Sequence, residues 1–125
     1  MVEAPKGAGS RILVVDDSVD SAETLGELLK IWGHEVRLAH DGPGAVDAAR
    51  DYLPEVILLD IGLPGMVGFA VATQLRKEGI GGRLLVALTG YGEQQDRQRT
   101  HAVGFDHHLV KPIDPDSLQK LLVRK

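Results

Sequence analysis

Short apolar runs alternate along the chain with longer stretches in which apolar residues recur at helical spacing. Ile12-Leu13-Val14-Val15, Val56-Ile57-Leu58-Leu59 and Leu84-Leu85-Val86-Ala87-Leu88 are continuously apolar and too short for helices, as strands covered on both faces are. Glu35-Val36-Arg37-Leu38 alternates polar with apolar, and His107-His108-Leu109-Val110 is short and half polar. Those two suit the edges of a sheet, where one side meets water.

Helical signals fill the gaps. Val19, Ala22, Leu25, Leu28, Leu29 and Trp32 recur at helical spacing, the first turn is acidic through Asp20 and Glu23, and Gly33 supplies a stop. Amphipathic segments over 43–52, 67–78 and 92–103 predict further helices, and a last one opens at Asp114-Pro115 and carries Leu118, Leu121 and Leu122. Strand and helix in strict alternation predict an α/β fold, a three-layer doubly wound (βα)5 parallel sheet with right-handed crossovers. Three apolar strands inside and two mixed strands outside give the flavodoxin-like strand order 2-1-3-4-5. Residues 1–9 hold Pro5, Gly7 and Gly9 without a hydrophobic period and are expected to be a disordered linker or tag remnant, leaving 10–125 as one domain.

Composition narrows the function. A chain of 125 residues supports one hydrophobic core, and 43% apolar with 26% charged residues is ordinary for a globular domain. No apolar run approaches the roughly 20 residues that span a bilayer, and the N-terminus lacks a signal-peptide stretch, so a cytoplasmic location without membrane contact is expected. The absence of Cys removes thiolate chemistry and Cys-based zinc sites. A net charge of −4, scattered basic residues and few aromatics argue against a nucleic-acid partner.

In an open α/β sheet, ligands bind beyond the carboxyl ends of the strands. The residues that follow the apolar runs are Asp16-Asp17, Asp60, Thr89-Gly90 and Lys111-Pro112, whereas the second strand ends in Ala39-His40, read here as lying away from this centre. Three carboxylates brought together repel one another unless a cation joins them. A hard divalent ion answers that need, and Mg²⁺ characteristically takes one or two carboxylates together with water and a phosphate oxygen.

Asp16-Asp17, Asp60, Thr89 and Lys111-Pro112, with the segment Asp60-Ile61-Gly62-Leu63-Pro64-Gly65-Met66-Val67-Gly68, resemble the receiver domain of two-component response regulators over about residues 11 to 124. The stretch from Gly104 to Pro112 is similar in particular to receivers attached to hybrid histidine kinases. The resemblance implies a signalling module rather than a turnover enzyme, which takes a phosphoryl group from a phosphohistidine or a small phosphodonor onto Asp60. It implies Mg²⁺ held by Asp17, Asp60 and the backbone carbonyl of Gly62, with Asp16 holding a metal-bound water or orienting the site. Lys111 and Thr89 would then meet phosphoryl oxygens, backbone N–H groups near Ile61 and Gly90 would complete the cradle, and the Lys111–Pro112 bond would be cis. Its partners would be a sensor histidine kinase or phosphotransfer protein and a downstream effector. The expected switch is Thr89 with His108, and the expected response face is the polar 92–103 helix, the fifth strand and the last helix.

The chain departs from the family in places. His108 stands where an aromatic residue is common, and a His is polar and titrates near neutrality. Met66-Val67-Gly68 lacks a helix-capping acid, at an expected cost on the order of 1 kcal/mol. Taken singly, each site residue has a bland reading: solvated loop acids for Asp16-Asp17, a helix cap for Asp60, a turn residue for Thr89, a solvated base for Lys111. The joint pattern outweighs them. His107 and His108 are neighbours in a strand and point to opposite faces, so they do not share a metal. His34, His40 and His101 have no motif around them, and Gly7-Ala8-Gly9 precedes a strand instead of following one, unlike a dinucleotide loop.

Two other functions compete. A haloacid-dehalogenase-type phosphatase also uses an aspartate nucleophile but needs Asp-x-Asp after its first strand, where this chain has Asp16-Asp17-Ser18, and it needs a substrate cap. A receiver-shaped module that binds partners without phosphorylation remains the main alternative. No residues are left over for a DNA-binding domain, so a stand-alone regulator or a piece of a larger kinase is expected. Tyr91, two residues after Thr89, is expected to shield an acyl phosphate on Asp60 from water. Phosphoryl loss should therefore quicken in Tyr91→Ala, and an unchanged or slower loss, followed by intact mass over time, would count against shielding.

Overall fold

A computed structural model describes residues 9–61, 67–90 and 104–122. The strands are β1 (Arg11–Val15), β2 (Glu35–Ala39), β3 (Val56–Asp60), β4 (Leu84–Thr89) and β5 (His107–Val110). The described helices are α1 (Val19–Ile31), α2 (Gly42–Tyr52), α3 (Val67–Lys77) and α4 (Pro115–Leu122). All neighbouring strands are parallel, in the order β2-β1-β3-β4-β5, which is the flavodoxin-like order that the apolar pattern predicts. The segment expected to be helical over 92–103 lies outside the described residues.

Successive strand residues face opposite sides of the sheet, and the three inner strands bury both. Leu13, Val15, Ile57, Leu59, Leu85 and Ala87 pack with Ala45 and Ala49 of α2 and Ala72 and Leu75 of α3. Ile12, Val14, Leu58, Val86 and Leu88 pack on the other side with Ala22 and Leu29 of α1 and Leu118 and Leu122 of α4. Helix layers therefore cover both faces, which is why β1, β3 and β4 carry no polar alternation. The edge strands β2 and β5 keep exposed positions. Among the described residues no helix is long and apolar enough to cross a membrane.

Local chemistry sets the helix starts. Ser18 caps α1 by accepting from the Ser21 N–H, Asp41 caps α2 by accepting from the Gly44 N–H at 2.6 Å, and the Asp114 carboxylate accepts from the Ser117 N–H at 3.1 Å. At the predicted stop of α1, Gly33 has φ +97°, a conformation that suits glycine. Gly82 is required for a second reason: at φ +76° a Cβ there would stand 2.5 Å from the Glu55 carbonyl oxygen, where the chain turns into β4.

Two clamps fix the outer elements. The Arg50 guanidinium of α2 grips Glu78 just beyond α3 with bonds of 2.8 and 2.7 Å, and chiefly that bond holds the Glu78 carboxyl down to about 2. Arg76 of α3 donates to the Gly104 carbonyl at 2.9 Å and to Asp106 at 2.7 Å, while the same Asp106 oxygen accepts from the Leu85 N–H at 2.7 Å. Arg76 thus sets where the chain joins β5, and with it where Lys111 emerges at the far end.

At the opposite, amino-terminal rim of the sheet, His34 Nδ1 accepts from the Ser10 N–H at 3.0 Å. Arg83 beside it reaches the Leu122 carbonyl at 3.4 Å. Burial, and then the Arg83 charge, lower the His34 pKa from its ordinary value of 6.5. The folded state then binds fewer protons than the unfolded one, so stability is complete above about pH 6.5 and is lost as pH falls below it toward the folded value. His34→Asn, which keeps an acceptor but does not titrate, should flatten the fall in urea midpoint between pH 7 and pH 5 relative to the parent chain. Parallel pH profiles for the two proteins would reject the assignment.

Candidate functional site

The carboxyl ends of β1, β3, β4 and β5 bring four side chains of the predicted set to one rim. Asp60 closes β3 opposite Leu88, Thr89 closes β4 opposite Val110, and Asp16 and Lys111 follow β1 and β5 directly. Lys111 Nζ donates to Asp60 Oδ2 at 2.9 Å and to Asp16 Oδ2 at 3.0 Å, across 51 and 95 residues of chain. Both acids are buried, with side chains only 10% and 5% exposed, against 32% for Lys111. Burial works against the Lys111 charge, but the hydrogen bonds it donates to Asp60 and Asp16 and the charges of both outweigh it, so its pKa stands above the ordinary lysine value.

Asp17 completes the cluster from an exposed position. Ligand oxygens of Asp16, Asp17 and Asp60 all lie within 4.8 Å of one another. Three carboxylates gathered so closely could converge on one small divalent cation such as Mg²⁺, which would offset their mutual repulsion. Hard oxygen donors and surplus negative charge fit the same class of cation. Gly62, whose carbonyl was assigned to the same site, lies outside the described residues, as does Tyr91. Among the described residues no grouping of metal-ligating side chains includes a histidine.

The Ile61 N–H donates to the Leu88 carbonyl at 3.0 Å and forms one more rung of the β3–β4 ladder. One expectation needs correction. His40 was placed away from the centre, yet its Nδ1 lies 3.0 Å from the Asp16 carbonyl oxygen. The reason is lateral: β2 pairs with β1 in register Val15 to Ala39, so the next residues of both strands remain side by side. Thr89 is buried, and its hydroxyl is directed to the Leu109 carbonyl at 3.4 Å, a long bond and hence a weak one. His108 lies on β5 opposite Ala87, and the Lys111–Pro112 peptide bond is cis. A groove of about 610 Å³ between α1 and the start of α4 reaches Asp16 and Lys111, so the rim has an open side.

Comparison with known proteins decides the family, because the family model for the response regulator receiver domain matches residues 12–123. The chain belongs to the response regulator receiver family. This receiver is 33% identical to protein PilH of Pseudomonas aeruginosa over 114 residues, covering 90% of this chain and 94% of PilH. It is 37% identical to the DNA-binding response regulator MtrA of Mycobacterium leprae over 108 residues, covering 86% of this chain but only 47% of MtrA. Among solved structures, chemotaxis response regulator CheY4 of Vibrio cholerae superposes with a TM-score of 0.82 at 31% identity, over 91% of this chain and 96% of that one. Receiver domains are signalling modules of two-component systems, and this one carries an acidic cluster at the rim where the fold places its ligands.

The receiver's two buried acids depend on Lys111 for charge. Lys111→Met leaves them without their ammonium and should lower stability in chelator-treated protein by about 1–3 kcal/mol, a figure trimmed by the solvent that reaches Nζ. Urea midpoints of the two proteins measure this, and equal midpoints would show that the acids do not lean on Lys111.

Proposed function

We propose that this receiver is a phosphoacceptor: Asp60 takes a phosphoryl group from the phosphohistidine of a sensor kinase or phosphotransfer protein, and the modified site changes a partner-binding surface. The observation that carries the reading is the meeting of Asp60 with Lys111 at 2.9 Å inside a cluster that includes Asp16 and Asp17. Roles follow from the chemistry of each group.

A carboxylate oxygen of Asp60 attacks phosphorus in line. An O–P bond forms while the P–N bond to the donor imidazole breaks, and the electron pair of that bond returns to the imidazole nitrogen. With acetyl phosphate as donor, a P–O bond breaks instead and acetate leaves. The transition state is loose, so the protein's part is to position and to neutralise charge. Mg²⁺ held by Asp16, Asp17 and Asp60, with the Gly62 carbonyl, would supply positive charge to the transferred oxygens. Lys111 adds a point charge on a flexible stem, able to exchange a carboxylate oxygen for a phosphoryl one. Thr89 gives up a weak bond to Leu109 and can offer its hydroxyl to the new group. Since Leu109 belongs to β5, that exchange loosens one tie between the site and the strand carrying His108. β5, α4 and the 92–103 segment form the proposed response face, and the partner that reads it is a downstream effector.

Treatment with acetyl phosphate and Mg²⁺ should add one phosphoryl group by intact mass, and Asp60→Asn should abolish the gain. No gain in the parent chain would favour a module that works without phosphorylation. A gain that persists in Asp60→Asn would move the acceptor elsewhere.

A further inference from the structure

We infer that His40 is a positioning residue for the divalent-cation site, an inference that rests on the metal-assisted reading above. Asp16 is held at four points. Its N–H donates to the Ala39 carbonyl at 3.0 Å, its Oδ1 accepts from the Ser18 N–H at 2.9 Å, and its Oδ2 accepts from Lys111 at 3.0 Å. The fourth point is its own carbonyl oxygen, 3.0 Å from His40 Nδ1. A carbonyl only accepts, so Nδ1 carries the hydrogen in this bond. The β1–β2 ladder ends at Val15 and Ala39, and a side chain therefore does for Asp16 what a strand N–H does for the residues before it.

The Asp16 carbonyl belongs to the same planar peptide unit as the Asp17 N–H. Fixing that carbonyl fixes the plane from which the Asp17 side chain departs. Asp16 and Asp60 are buried and held by Lys111, whereas Asp17 is exposed. Packing does little for Asp17, so its approach to the other two carboxylates is governed by the backbone on either side of it. On one side that backbone is tied by the Ser18 N–H to Asp16 Oδ1, and on the other by His40. Partners that orient metal ligands from outside the coordination shell commonly change metal affinity by about 10–100-fold when removed. His40 acts through one peptide unit, which puts it at the lower end.

The test uses Mn²⁺ as the probe, counted by the electron paramagnetic resonance signal of the free ion, with the parent chain, His40→Ala and His40→Asn. Asn Nδ2 reaches much the same place as His Nδ1 and can make the same donation. The expected result is affinity about tenfold weaker in His40→Ala and mostly restored in His40→Asn. In the metal-free protein, ¹⁵N relaxation should show the Asp17 amide more mobile in His40→Ala, with Leu13 in β1 unchanged. Equal Mn²⁺ affinity in the parent chain and His40→Ala, or an Asp17 amide equally ordered in both, would overturn the role of His40 and leave the metal reading standing. No Mn²⁺ binding by the parent chain would overturn the metal reading, and the His40 inference with it.

Discussion

Two buried carboxylates, Asp16 and Asp60, share one ammonium, and the rim of this sheet is organised around that pairing. Removing a carboxylate from water costs several kcal/mol unless charge and hydrogen bonds compensate. Lys111 compensates both at once, and the amino end of α1 adds to it, since the Ser18 N–H at that end donates to Asp16 at 2.9 Å. The positive pole of a helix favours an anion placed there. The position of Lys111 is no accident of a mobile loop: its N–H donates to the Thr89 carbonyl at 2.7 Å, and β5 is set by the Arg76–Asp106 clamp at its other end. Residues far apart in the chain thus converge because each closes, or directly follows, a strand of one parallel sheet.

That same regularity made much of the fold and site legible. β1, β3 and β4 announce themselves because burial on both faces leaves no polar alternation along their apolar runs, and β2 and β5 because an edge leaves some. Once the strand order follows, Asp16, Asp60, Thr89 and Lys111 must be neighbours, since parallel strands in register end together. What stayed illegible depends on single atoms. His40 touches a main-chain carbonyl, and a carbonyl leaves no trace in the identity of Asp16. The Ile61 N–H donates to Leu88 because the ladder runs one rung past the last strand residue, which no residue type signals. The turn of the Thr89 hydroxyl toward Leu109 is a torsion about one bond. Arg76 reads as an ordinary base near the end of an amphipathic helix, and only the fold shows it bridging to Gly104 and Asp106.

The two rims of the sheet are electrostatically unlike. At the amino-terminal rim, burial and then the neighbouring Arg83 charge keep the His34 imidazole toward its neutral form, in which Nδ1 can accept from Ser10. Among the described residues, the carboxyl-terminal rim gathers Asp16, Asp17 and Asp60 with Lys111 as the cation paired to the two buried acids. Parallel strands impose this polarity only in part, through helix ends and loose main-chain groups; the side chains complete it.

Charge balance explains how such a rim can both be stable and respond. Three carboxylates and one ammonium leave a local charge near −2, which a divalent cation cancels and which water screens when none is bound. Phosphorylating Asp60 would replace its single carboxylate charge by an acyl phosphate of about −1.5 to −2, a net gain of about −0.5 to −1 with new acceptor oxygens, and the groups able to answer it without unfolding anything are those held by exchangeable bonds. Lys111 holds two such bonds on a flexible stem, and Thr89 holds one that is already long. The inner strands are too well packed to yield, with β1, β3 and β4 buried along almost their whole lengths. On the proposed phosphorylation, displacement would therefore be channelled toward β5, the half-exposed strand to which both Thr89 and Lys111 are tied. The edge of the sheet, rather than its centre, is where the proposed change of charge would become a change of surface.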